Sequence, residues 1–165
     1  MVESFFYPTT DSEKKIFISK LKSNKAICKR KTEYVDIVIT NIDNYDIIYV
    51  EKNNELKCFC AFNILNNTLL LHYICSTGSG YGTKMVNILK EECKKLNLKQ
   101  IELNSPDTNI DFYTKLEFEL VDEDSVWENV SMVWKNLNYK GGNKRRKTMK
   151  RTTKRKRKSI KRTHQ

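Results

Sequence analysis

The stretch Thr77-Gly78-Ser79-Gly80-Tyr81-Gly82-Thr83 lies between an apolar, strand-like run, Leu69 to Cys75, and an amphipathic helix that begins near Gly82. A glycine-rich turn from a strand into a helix leaves backbone N–H groups unpaired at the helix start, where the dipole favours anions. Such a loop points to a phosphorylated cofactor. A Walker A loop needs G-x-x-x-x-G-K-[ST], and here Gly82 is followed by Thr83 and then Lys84-Met85, which misplaces the lysine and the hydroxyl. A dinucleotide or S-adenosylmethionine loop fits Gly78-x-Gly80-x-Gly82 better, with Glu102 about where a ribose-binding acid would end the next strand. That option fails on layout. Such sheets place the loop after the first strand and need several further strand–helix units, whereas here three strands precede the loop and too little chain follows it.

The elements that must position the loop are legible in outline. Phe5-Phe6-Tyr7 reads as a short strand, and Thr10-Asp11-Ser12-Glu13 as a capping box opening a helix with Phe17, Ile18 and Leu21 on its apolar face. Residues 24 to 45 admit either a strand or a short helix around Tyr34, Ile37 and Ile39. Ile47 to Val50, Leu56 to Phe62 and Leu69 to Cys75, separated by Asn53-Asn54 and Asn66-Asn67, read as an antiparallel meander with tight turns. Met85, Val86, Leu89, Cys93 and Leu96 then recur at helical spacing. Gln100 to Leu103 is a strand that the intervening helix sets parallel to the one ending at Cys75. A shorter helix over 109–116 and two closing antiparallel strands, around Phe118-Leu120 and Val130-Met132-Trp134, complete an α+β arrangement: one mixed, mostly antiparallel central sheet flanked by helices. Trp127 and Trp134 read as core or edge-strand packing.

Composition separates two objects on one chain of 165 residues. Residues 140–165 carry 14 Lys or Arg and no Asp or Glu, leaving 17 basic against 20 acidic residues, a net of −3, for residues 1–139. The tail has almost nothing apolar to bury and repels itself, so it is expected to be disordered, and its basic run over 144–163 suits non-specific contact with nucleic acid. The 165-residue chain is 39% hydrophobic, enough for one domain with a real core, which falls in residues 1–139. No run is apolar enough to cross a bilayer, so no membrane partner is expected. The start, Met1 to Pro8, lacks the basic-then-apolar order of a secretory signal, so the chain is expected inside the cell, cytoplasmic or nuclear. Cys28, Cys58, Cys60, Cys75 and Cys93 are accordingly expected to be reduced. With no C-x-x-C and only His72 and His164 beside them, they suggest no metal site.

Thr77-x-x-Gly80-x-Gly82 resembles the acyl-coenzyme A loop of the GNAT N-acetyltransferase superfamily, R/Q-x-x-G-x-G/A. Downstream, Phe112-Tyr113-Thr114-Lys115-Leu116-Glu117-Phe118 resembles that family's F-Y-x-K-x-G-F. The resemblance covers roughly residues 46–135, including the order of elements. Thr77 stands in place of the first Arg or Gln, and Glu117 in place of the usual Gly. The composition, rich in Lys, Asn and Ile, is also similar to that of proteins from large DNA viruses with AT-rich genomes.

The resemblance implies a GNAT-like fold and acetyl-CoA as co-substrate. It places the pyrophosphate on the amides of Gly78, Ser79, Gly80, Tyr81, Gly82 and Thr83, and the pantetheine arm beside Tyr73, Ile74 and Cys75, where the strands ending at Cys75 and Leu103 splay apart. Asn109 is a further contact to that arm. The implied reaction is direct attack of a primary amine on the thioester, with Tyr113 returning a proton to the departing thiolate. At a pKa near 10.4 about one alkylamine in 2,500 is a free nucleophile at neutral pH, so the site must help remove a proton. Many members place a carboxylate on the strand before the loop; here that strand offers only His72, whose imidazole could relay the proton. Cys75 has no assignable histidine and acid partner, and direct attack needs no acyl-enzyme. The acceptor is an amine on a small molecule or on a protein lysine or N-terminus. The competing class is a catalytically degenerate coenzyme A-binding module tethered to nucleic acid by its tail.

Overall fold

The computed structural model describes residues 3–29, 31–121 and 129–141. Within these residues seven strands form one sheet: β1 (Glu3–Phe6), β2 (Asp46–Lys52), β3 (Glu55–Leu65), β4 (Thr68–Ser76), β5 (Gln100–Pro106), β6 (Glu119–Leu120) and β7 (Asn129–Lys135), in the spatial order β1-β2-β3-β4-β5-β7-β6. All neighbours are antiparallel except β4 and β5. Among the described residues, four helices accompany it: α1 (Asp11–Ser23), α2 (Glu33–Thr40), α3 (Tyr81–Lys95) and α4 (Ile110–Thr114).

Local chemistry sets most of these boundaries. The Thr10 side chain accepts from the Glu13 amide while Glu13 accepts from the Thr10 amide, the reciprocal box expected at the start of α1. Asn53-Asn54 and Asn66-Asn67 all take positive φ, between 52° and 65°, as two-residue hairpin turns require, and they join β2 to β3 and β3 to β4. The undecided stretch after α1 is helical, made of α2 between short 3-10 turns at Lys25–Cys28 and Ile42–Asn44. Its β-branched residues have strand propensity. What settles the matter is that Val35 and Val38, three apart, are both fully buried beside Phe17 and Leu21.

Each sheet face has its own core. Met85, Val86, Leu89 and Cys93 of α3 pack with Ile48, Leu69, Leu71, Ile101, Leu103, Met132 and Trp134 on one face. Phe17, Leu21, Val35 and Val38 of α1 and α2 cover Ile47, Tyr49, Phe59, Ala61 and Cys75 on the other. Trp134 is therefore a core residue, as expected, and its ring carries the Lys90 ammonium 5.1 Å from its centroid. Trp127 and the basic run over 144–163 lie outside the described residues. Among the described residues, no helix is long and apolar enough to cross a membrane.

The cysteines depart from expectation. Cys28 and Cys75 are joined in a disulfide, while Cys58, Cys60 and Cys93 are free and buried. The 3-10 turn after α1 crosses the face of β4 and brings the two Cα atoms to 4.7 Å across a sequence separation of 47. That juxtaposition belongs to tertiary packing, which the number and spacing of cysteines do not encode.

Candidate active site

The glycine loop emerges from β4 and becomes the start of α3. Gly78 and Gly80 have φ of 85° and 84°, left-handed values that a side chain resists, and Gly80 is the residue preceding the helix. The first intrahelical bond runs from the Lys84 amide to the Gly80 carbonyl. Among the described residues, no acceptor takes the N–H groups of residues 78 to 83, so the loop offers a row of unpaired donors at the positive end of a 15-residue helix. This is the arrangement that binds phosphate.

Thr77, which departs from the family's Arg or Gln, has a different task. Its amide and its hydroxyl both donate to the Lys57 carbonyl of β3, at 2.8 and 3.3 Å, tying the loop base to the neighbouring strand. The first turn of α3 is fastened from the far edge of the sheet: Tyr81 donates to Glu3 of β1 at 3.4 Å, and Lys84 forms an ion pair with the same carboxylate. Sequence reading missed Glu3, because nothing local links residue 3 to residue 84.

The cleft beside the loop comes from a mismatch between strands. Parallel pairing of β4 with β5 runs from Thr68–Gln100 to Leu71–Leu103 and stops there, although β4 continues to Ser76 and β5 to Pro106. Beyond Leu71 the two strands part. A bulge lies at that point: Leu71 pairs with Phe62 and Tyr73 with Ala61, which leaves His72 as the extra residue. The bulge changes which face the side chains take. Leu71 and Ile74 belong to the α3 face, whereas Tyr73 and Cys75 belong to the α1/α2 face. Of the three β4 residues assigned to pantetheine, Ile74 alone shares a layer with Tyr113, and the Cys75 sulfur is occupied by its disulfide.

Tyr113, in α4, is buried in the α3-face core, edge-on to Phe112 and Phe118 at 4.9 and 5.5 Å. Burial pushes its phenol up to about 12, so it holds its proton throughout the working pH range. A phenol of that strength gives a proton poorly to a solvated thiolate. It would match a thiolate held in an equally apolar setting, whose proton affinity burial raises in the same direction. Phe112 of α4 lies against the loop: a Cβ built on Gly82 would sit 3.4 Å from its ring, at ordinary contact distance, and this glycine has no left-handed backbone. Glu117 follows with φ of 61°, the conformation the family's glycine would supply. Its carboxylate accepts from the Lys90 ammonium at 2.9 Å, and the same ammonium donates to the Leu116 carbonyl at 2.7 Å.

His72 is exposed at the bulge, and its Nε2 lies 2.7 Å from Asn63 Oδ1. With Nε2–H donating to that oxygen, Nδ1 carries the free lone pair. Desolvation lowers its pKa from the ordinary value, which keeps the ring neutral. Tyr45, Tyr73 and Tyr34 line the same side, with His72 and Tyr45 centroids 5.3 Å apart and Tyr34 and Tyr73 at 5.1 Å. Asn109 is exposed in the 3-10 turn before α4.

No family model and no curated protein matches the chain. Solved structures do. The PaiA N-acetyltransferase from Thermoplasma acidophilum in complex with coenzyme A aligns with a TM-score of 0.57 at 16% identity, covering 82% of this chain and 100% of that one. Tetrahymena GCN5 aligns with 0.62 at 16%, over 85% and 99%. The ribosomal-protein-S18-alanine N-acetyltransferase from Escherichia coli aligns with 0.62 at 11%, over 80% and 91%. At these identities the likeness concerns the fold. A seven-stranded, mostly antiparallel sheet whose single parallel pair parts beside a glycine loop gives this chain the GNAT acyltransferase fold.

Proposed function

We propose that the chain is an acetyl-CoA-dependent N-acetyltransferase acting on a primary amine by direct attack. The observation that carries the reading is the row of unpaired amides over residues 78–83, set beside the gap that opens where β4 and β5 stop pairing. In this reading Gly78, Ser79, Gly80, Tyr81, Gly82 and Thr83 hold the pyrophosphate of acetyl-CoA through their main chain. Ile74 by its side chain, and Tyr73 and Cys75 by their backbone, flank the pantetheine arm, with Asn109 at its outer end. His72 Nδ1 takes a proton from the attacking amine, directly or through water, and Asn63 positions the ring. Tyr113 returns a proton to the thiolate as the carbon–sulfur bond breaks. The basic run over 144–163 adds non-specific contact with nucleic acid.

The test is calorimetric titration with acetyl-CoA, followed by thiol release across a panel of amines, on the full chain and on Tyr113→Phe. The expected result is acetyl-CoA binding by both proteins, with kcat for Tyr113→Phe lowered by roughly 10²–10⁴-fold, the usual range for one proton-transfer group. Binding without turnover would select the degenerate coenzyme A module. Absence of binding would overturn both readings.

A further inference from the structure

The helices cover the sheet unequally. Among the described residues, cover on the α1/α2 face ends at β4, and the neighbouring strands β5 and β7 present Gln100, Glu102, Asn104, Ser131 and Lys135 to a groove of about 330 Å³. Pairing fixes the floor: Gln100 lies opposite Lys135, Glu102 opposite Val133 and Asn104 opposite Ser131. The alternate residues Ile101, Leu103, Met132 and Trp134 point into the α3-face core.

The chemistry of this groove is lopsided. Gln100 donates to Glu102 Oε1 at 2.5 Å, the Ser131 hydroxyl donates to Asn104 Oδ1 at 2.9 Å, and the Lys135 ammonium is engaged by Glu119 at 2.7 Å. Three donors are thus spent inside the protein. Open acceptors are Glu102 Oε2, Gln100 Oε1 and lone pairs on Asn104 and Ser131; the open donors are the Asn104 amide, the second Gln100 N–H and the rest of the Lys135 ammonium, so acceptor sites outnumber donors. Among the described residues lining the groove, Glu102 is the one carboxylate. The one cation among those same residues, Lys135, is paired with Glu119, so an acceptor-rich surface carrying the Glu102 carboxylate fits a ligand made of N–H donors and positive charge.

Position adds a length. Asn104 is the first β5 residue beyond the last parallel pair, Leu71–Leu103, and so marks the start of the gap where the proposed thioester would lie. Glu102 lies two residues farther back on the same face, at ~7 Å along the strand. That span matches roughly five zigzag bonds of ~1.5 Å.

Resting on the transferase reading above, we infer that this groove is the acceptor site and that the acceptor is an α,ω-diamine. One nitrogen reaches the gap and the other stays as an ammonium on Glu102. The reacting nitrogen forms the amide bond as the acyl carbon–sulfur bond breaks. Its surplus proton leaves through His72 or water, and the sulfur takes a proton from Tyr113. Acetyl-CoA and diamine become free thiol and a mono-acetylated diamine whose far ammonium is unchanged.

The experiment measures kcat/KM by thiol release for the full-length protein with n-butylamine and with the diamine series from ethylenediamine to hexamethylenediamine. The expected result is a preference for diamine over n-butylamine of about tenfold or more, the usual scale for a hydrogen bond to a charged group, peaking at about four or five methylenes. In Glu102→Gln the preference should collapse to about twofold, mainly through KM, with acetyl-CoA affinity retained as evidence of an intact fold. The length profile of the unaltered protein is a second reading that needs no variant. Equal rates with n-butylamine and diamines, a flat length profile, or a preference that survives Glu102→Gln would overturn the inference and leave the transferase reading standing. No acetyl-CoA binding and no thiol release with any amine would end both.

Discussion

Two glycines two residues apart should respond to alanine in opposite directions. Gly80 has φ of 84°, and a Cβ placed there meets no atom within 4 Å, so the whole cost of Gly80→Ala is backbone conformation. A left-handed alanine costs about 1–2 kcal/mol, offset by about 0.4–1 kcal/mol from the lower entropy of the unfolded chain. The net loss is about 1 kcal/mol, or roughly 2–4 °C in Tm for a domain of this size. Relaxation to negative φ would turn the Gly80 and Tyr81 amides out of the loop. Each donor to a charged phosphate contributes about 1.5–3 kcal/mol, so acetyl-CoA affinity should fall by about tenfold or more. Gly82 has an ordinary helical backbone and a prospective Cβ at contact distance from Phe112. Gly82→Ala gains about 0.5 kcal/mol of helix preference at most and should leave Tm level or slightly raised, whereas Gly82→Val drives its methyls into the Phe112 ring. Thermal melts and calorimetric titration of the variants decide the matter. The reasoning is refuted if Gly80→Ala keeps both Tm and affinity, or if Gly82→Ala loses as much as Gly80→Ala.

Three further outcomes follow from the site and its supports. Because desolvation lowers the His72 pKa, log(kcat/KM) should climb with two-proton steepness below that depressed value, which lies under 6.5, and with one-proton steepness above it as the amine alone deprotonates. His72→Asn should leave the shallow limb only, and an unchanged steep limb would remove His72 as base. Glu117→Gly relieves a left-handed backbone that Glu117→Ala retains, and both lose the Lys90 contact, so the glycine variant should melt roughly 2–4 °C higher than the alanine variant. Denatured without reductant, the protein should titrate three thiols, rising to five with reductant, and Cys28→Ser should cost about 3–4 kcal/mol because the bridge closes a long loop. Five thiols before reduction would show that the bridge does not form.

Short-range chemistry made several parts of this protein legible along the chain. Paired asparagines demand left-handed turns, Thr10 and Glu13 cap each other, and apolar residues three and four apart make α3 a one-sided helix. The glycine spacing and the Phe112-Tyr113 pair announced both the glycine turn into α3 and the fold, because each depends on backbone freedom or side-chain type at a fixed offset. Residues 24–45 were not decidable, since α2 is rich in β-branched residues and helix wins there only through contact with α1. Tertiary structure alone decided the rest. The bulge at His72 turned Tyr73 and Cys75 away from the layer of Tyr113, and the turn after α1 set Cys28 against Cys75. The end of β4–β5 pairing set Asn104 at the gap, and β7 placed Ser131 beside it. These are juxtapositions of residues tens of positions apart, fixed by how layers pack and where a strand pair stops, and no local pattern along the chain encodes them.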